Sequence, residues 1–173
     1  VSKELVLHRL EDLLSRKYVS RLEEEILPEY IKKCRWFGGK ARKFRSVKIT
    51  DTIPLSSSNQ SVLWLLFEVA YQQGVPEIYQ LPIAFAQSDK AEQIRHDHPI
   101  GIIADAKVAG KGGKIVDAVF LQDFRKVILK NLTQQRKIKQ SQKTLFFNVS
   151  SEVKKISGSP SPFTSPTATP PPL

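Results

Sequence analysis

Val6, Leu7, Leu10, Leu13 and Leu14 recur at helical spacing with Arg9, Glu11 and Asp12 between them, which predicts a short amphipathic helix. A second helix is predicted to start at Ser20, where Ser20-Arg21-Leu22-Glu23 fits a capping box. Leu22, Ile26, Tyr30 and Ile31 would line its inner face. Pro28 removes a backbone donor, so a break or kink is expected there, and the helical pattern ends near Cys34. From Val47 the period becomes two: Val47, Ile49, Ile53 and Leu55 alternate with Lys48, Thr50, Thr52 and Pro54 as in a half-buried strand.

After a turn at Ser56 to Asn59, Val62 to Val69 is apolar on both faces and reads as a central strand. Residues 72–76 supply the next turn, and Tyr79, Leu81, Ile83 and Phe85 alternate again. Pro82 demotes that strand to an edge or a bulge. Gln87 to Pro99 reads as a surface loop or short helix. Ile100 to Val108 and Lys114 to Val116 read as short strands joined by Ala109-Gly110-Lys111-Gly112-Gly113. A last helix is expected from about Asp117, with Phe120, Phe124, Val127, Ile128 and Leu132 on one face, and one more strand over Thr144 to Val153. The fold class is α+β: an antiparallel β-meander packed against N-terminal and C-terminal helices. Gly158 to Leu173 holds six of the eleven prolines among serine and threonine, which predicts a disordered tail.

Composition changes the picture in two ways. With 40% hydrophobic and 25% charged residues in 173, the chain suits one ordinary core. One cysteine, Cys34, excludes an internal disulfide framework and a cysteine-based zinc site. No apolar run is long enough to span a bilayer, and no charged-then-apolar leader opens the chain, so a cytoplasmic location is expected. A start at Val1 with no methionine anywhere reads as a trimmed beginning. The net charge of +10 points to phosphate-bearing or otherwise anionic partners. Lys32 to Lys48 holds eight Lys or Arg and no acid, and Arg125 to Lys143 holds seven and none. These runs admit a module binding nucleic acid or another polyanion. The second run lacks interleaved aromatics, which favours a solvated basic surface against an acidic neighbouring domain.

Arg35-Trp36-Phe37-Gly38-Gly39-Lys40-Ala41-Arg42 is the most informative segment. Two adjacent large aromatics call for burial, two glycines permit a bend, and the flanking cations stay wet. It reads as a helix-to-strand corner pinned by Trp36 and Phe37; a phosphate or sugar contact by Arg35 and Lys40 is the competing reading. Ala109 to Lys114 lacks the Gly-Lys-Ser/Thr ending of a phosphate loop and leads into a strand, so it reads as a hairpin turn. His96-Asp97-His98 lacks a third ligand for a metal site. Asp123-Phe124-Arg125 falls inside an amphipathic helix rather than after a catalytic loop. The residues show no reaction centre.

Ile26 to Arg42, with its Arg-Trp-Phe-Gly-Gly-Lys hexapeptide, followed by Val47 to Asp51 and Glu77 to Phe85, resembles the N-terminal cap of bacterial maltokinases. These include the maltokinase half of trehalose synthase–maltokinase fusions. The resemblance spans roughly Leu22 to Leu132. It implies a two-lobed, kinase-like phosphotransferase that uses ATP and Mg²⁺ to phosphorylate maltose at its anomeric carbon, in trehalose and glycogen metabolism. The family's Gln-Ser-Asn-Thr-Ser nucleotide loop, His-Gly-Asp-Leu-His catalytic loop and Asp-Phe-Glu metal site have no counterpart in this sequence. No catalytic, cofactor-binding or metal-ligating residue is therefore carried over. Arg35, Trp36, Phe37, Gly38, Gly39, Lys40 and Arg42 are the family motif, with a structural role expected. The implied division is a lead-in over 1–20, the cap over 21–135, the start of a connecting region over 136–157 and the tail over 158–173. The implied partner is the kinase lobe of the same polypeptide, with maltose and ATP reached only through the full-length enzyme; a membrane is not expected and nucleic acid is disfavoured.

Overall fold

A computed structural model of the chain describes residues 4–57, 60–140 and 143–148. The chain forms two units, 1–125 and 126–173. The first is built on a six-stranded sheet of order β1-β5-β6-β4-β3-β2. Its strands are β1 (Leu5–Leu7), β2 (Phe44–Ser57), β3 (Gln60–Tyr71), β4 (Glu77–Gln87), β5 (Ile102–Val108) and β6 (Lys111–Asp117). β1 runs parallel to β5, and the other neighbours are antiparallel. The α+β class and the β2-β3-β4 meander are those expected.

The N-terminal helical layer differs from its sequence pattern. Leu5 and Leu7 are buried on β1, and the helical turn that follows is a 3₁₀ segment, Leu10–Leu14. The spacing of Val6 and Leu7 suited a helix, but pairing with the edge of β5 decides the matter, and Val6 turns outward. The next helix begins at Arg16, with Ser15 as its N-cap, so Ser20 lies inside it and caps nothing. It runs as α1 (Arg16–Arg21), a π-turn (Leu22–Ile26) and α2 (Leu27–Lys33) without interruption. The helix widens just before Pro28, which supplies no amide; this is the distortion expected at the proline. Leu22, Ile26, Tyr30 and Ile31 are all buried, as the stripe predicts.

One face of the sheet meets that helix through Leu63, Leu65, Phe67, Val69, Leu81, Ile83 and Ile115. The opposite face also buries residues, among them Leu55, Val62, Ala84 and Val116. β3 is therefore apolar on both sides, as expected, with partners on both edges. β2 departs from simple alternation. Its register slips between Ile49 and Asp51, so Val47 and Ile49 join the helix-side core whereas Ile53 and Leu55 pair with Trp64 and Val62 on the other face. Glu23, buried in the π-turn, fixes this bulge: its carboxylate accepts from the Ile49 amide at 2.8 Å and from Lys48 Nζ at 2.7 Å. The turn expected over Ser56 to Asn59 is shorter, because Ser56 and Ser57 extend β2; Ser58 and Asn59 lie outside the described residues.

β4 is an interior strand, yet Pro82 pairs with Trp64 of β3 only, and pairing with β6 begins at Ile83. The proline is thus edge-like at its own position. The polar stretch after it forms α3 (Ser88–Asp97), and α4 (Gln122–Thr133) follows a 3₁₀ turn at Ala118–Phe120. Phe124, in the first turn of α4, meets the Trp64 ring edge-on at 5.9 Å. Among the described residues no helix is long and apolar enough to cross a membrane. In the second unit β7 (Lys137–Gln140), absent from the sequence expectation, pairs with β8 (Lys143–Phe146), the first part of the strand expected from Thr144. Val149 to Val153, the remainder of that strand, and the Pro-rich tail lie outside the described residues.

Candidate functional site

The helix-to-strand corner is built by the end of α2, the start of β2 and the β3–β4 turn. The Phe37 amide donates to the Cys34 carbonyl at 3.3 Å and the Arg42 amide to the Gly39 carbonyl at 3.0 Å, bending the chain between helix and sheet. Phe37 is 2% exposed and packs against Phe44 (5.4 Å, edge-on) and Tyr79 (5.0 Å). Trp36, expected to be wedged inside with it, is 45% exposed. Two adjacent side chains in a tight bend point to different sides. The wholly hydrocarbon ring takes the interior, and the indole, whose N–H would need a buried acceptor, lies across Phe37 and Tyr79 at the surface. Gly39 is buried where any Cβ would overlap the Tyr71 hydroxyl and the Phe37 ring. Gly38, Arg35 and Lys40 are exposed.

Arg42 closes the corner. Its guanidinium lies 3.4 Å from the Tyr71 ring centroid, Nη1 donates to Glu77 Oε1 at 2.7 Å, and Nη2 donates to the Val75 carbonyl at 3.1 Å. The other Glu77 oxygen accepts from Tyr71 Oη (2.6 Å) and Tyr79 Oη (2.5 Å). These bonds, Tyr71's first and then those of Tyr79 and Arg42, hold the Glu77 carboxyl below the usual carboxylate range. Burial, reinforced by Glu77, pushes the Tyr71 and Tyr79 hydroxyls up, so both stay protonated donors. Sequence reasoning singled out Arg42 but missed Tyr71 and Glu77 as its partners. The available signal was that Glu77 opens the third segment carrying the family resemblance.

A second internal cluster ties the same helix to the end of β6. Tyr30 Oη donates to Asp117 Oδ2 at 3.2 Å, and the Val119 amide donates to Oδ1 at 3.0 Å. Asp117 is 3% exposed, and burial raises its carboxyl above the ordinary aspartate range. The Cys34 thiol, also buried and also raised by burial, donates to the Tyr30 carbonyl.

The remaining motifs find partners within the fold. Ala109 (φ 49°) and Gly110 (φ 79°) form the tight β5–β6 turn, and Lys114 of the glycine-rich run is ion-paired to Asp105. Asp123-Phe124-Arg125 opens α4: Asp123 pairs with Lys90, Phe124 is buried, and Arg125 Nη1 donates to the Val119 carbonyl. His96 and His98 end α3, the first against Asp97 and the second against the Phe120 ring. Among the described residues no three His, Cys, Asp or Glu side chains form a metal-binding group. A cleft of about 650 Å³ between the 3₁₀ segment, β4 and α3, lined by His8, Arg9, Phe85, Gln87 and Lys90, contains none of the motif residues.

The features together define an α+β domain whose principal polar clusters, Arg42–Glu77–Tyr71–Tyr79 and Tyr30–Asp117, bind its own elements to one another. The maltokinase N-terminal cap domain family matches residues 30–120, and the chain belongs to that family. No curated protein matches it.

Proposed function

We propose that this chain works as the N-terminal cap of a cytoplasmic maltokinase, an enzyme that transfers phosphate from ATP to maltose in trehalose and glycogen metabolism. In this reading the cap packs on a kinase lobe of the same polypeptide and restrains or shapes its site, and it does not perform the transfer. The observation carrying the proposal is the closed corner: the family hexapeptide leads into Arg42, whose guanidinium is ion-paired to Glu77 inside the fold.

The described residues do not fit an ATP–Mg²⁺ site. Phosphoryl transfer needs a phosphate cradle, a charge-neutralising lysine, an aspartate receiving the hydroxyl proton and a metal-holding aspartate. Lys114 of the glycine-rich run is paired with Asp105, and that run turns between two strands instead of opening a helix. Asp123 is paired with Lys90, and Asp117 is buried against Tyr30. No step of the transfer is assigned to these residues.

Calorimetric titration of ATP–Mg²⁺ and of maltose into this chain is expected to give no specific heat. The longer polypeptide carrying the cap is expected to convert maltose and ATP to maltose 1-phosphate. Micromolar nucleotide affinity with maltose turnover by this chain alone would overturn the division of labour.

A further inference from the structure

The Arg42–Glu77–Tyr71–Tyr79 cluster leaves one side of the corner with chemistry that the fold does not use. Trp36 is the exposed aromatic of the 1–125 unit among the described residues, although its neighbour Phe37 is fully inside. Arg35 and Lys40 flank it, Lys43 follows, and all three are exposed. Among the described residues none of the three has a carboxylate within ion-pair reach. The sequence supplies no acid between Lys32 and Lys48. Glu77, the carboxylate that reaches this corner from β4, has both oxygens committed to Arg42, Tyr71 and Tyr79. The nearest acid before the corner on α2 is Glu29, more than one turn back from Arg35.

We propose that Trp36, Arg35 and Lys40 form the centre of a docking face for an acidic protein surface. The identity of that surface as part of the phosphotransferase lobe rests on the cap reading above. Three physical arguments carry the assignment. Exposed cations without an acidic neighbour repel one another, and an opposing acidic face relieves that repulsion while setting register. Trp and Arg are the side chains that most often dominate protein interfaces, because each covers a large area with few or pre-organised degrees of freedom. The indole is also held: Trp36 rests on Phe37 and Tyr79, and Tyr79 is held by Glu77, so little of its ordering entropy remains to be lost on binding. A nucleic-acid groove would instead offer successive aromatic platforms along a basic track. Here one indole is present, and part of its surface is already covered by two rings of the protein itself.

The test uses this chain and four probes: a synthetic peptide of glutamates interrupted by leucines, an all-glutamate peptide of the same length, duplex DNA and inorganic polyphosphate. The Glu/Leu peptide is expected to bind most tightly, to weaken as salt rises, and to shift the Trp36 indole N–H resonance. Trp36→Ala is expected to remove the preference for the leucine-bearing peptide, weakening it about tenfold. Arg35→Gln with Lys40→Gln is expected to weaken both peptides and flatten the salt dependence. Equal or tighter binding of DNA or polyphosphate, unaffected by Trp36→Ala, would overturn the proposal in favour of a general polyanion surface. Absence of peptide binding would also overturn it. Because no step requires catalysis, peptide binding by a chain whose longer form fails to phosphorylate maltose would sink the kinase reading alone; the opposite pair of results would sink only the docking face.

Discussion

Two bends of this chain place glycine beside lysine, and at Gly110 and Gly39 the protein needs the glycine for opposite reasons. The β5–β6 turn is decided locally: Gly110 has φ of 79°, and nothing lies within 4 Å of where its Cβ would be. The corner at 35–42 is decided by contact: Gly39 needs no left-handed backbone, but a side chain there would strike Tyr71 and Phe37. The first glycine relieves backbone strain and the second makes room for a tertiary lock. The same residue type in similar company therefore carries different information, and only the corner couples helix, sheet and turn.

The comparison is most severely tried at Phe37. Phe37→Ala should cost roughly 3–5 kcal/mol, as removal of a buried aromatic does, read from urea midpoints. A loss comparable to an ordinary surface change would mean that the corner is not a core element. Gly39→Ala should follow at about 1–3 kcal/mol through overpacking. If it costs no more than Gly110→Ala, the claim that contact rather than dihedral angle requires Gly39 fails.

Glu77→Gln tests the electrostatic half of the lock. The folded protein holds this carboxyl below its unfolded value, so its contribution is present above the ordinary glutamate range and is lost as pH falls through the lowered folded value. The substituted protein should be less stable at neutral pH and should lose less on acidification, so the two stability curves converge in acid. Parallel curves would remove the charge from the argument. Gly110→Ala should cost about 1–2 kcal/mol from the left-handed conformation alone, with no change in the Trp36 environment. Smallest of all, Trp36→Ala should shift stability by less than about 1 kcal/mol, since the indole is largely outside the core. A loss matching that of Phe37→Ala would restore the reading in which both rings anchor the fold.

Much of the architecture is visible in the residue pattern because burial follows periodicity. The Leu22–Ile26–Tyr30–Ile31 stripe, the two-faced β3 and the glycine-rich hairpin after β5 are each dictated by neighbours a few residues apart, although the turn expected over Ala109 to Gly113 takes only Ala109 and Gly110, and Lys111 to Gly113 join β6. The candidate site is legible only in part. The hexapeptide marks the corner, but nothing local to Trp36 or Phe37 says which ring turns inward. Nor does the sequence near Arg42 disclose Glu77 and Tyr71, which arrive from other strands at separations of 35 and 29 residues.

What the chain determined by itself is the set of elements whose free energy is local: helical stripes, alternating strands, a left-handed turn and an excess of positive charge. The tertiary structure decided everything that depends on a distant partner. It made Leu5–Leu7 a strand by offering it the edge of β5, and it sent Ile53 and Leu55 to the opposite face through a bulge held by Glu23. It also left Trp36 outside once Phe37 had filled the space between Phe44 and Tyr79. A space that admits one ring is a property of the assembled walls, and no single segment contains them.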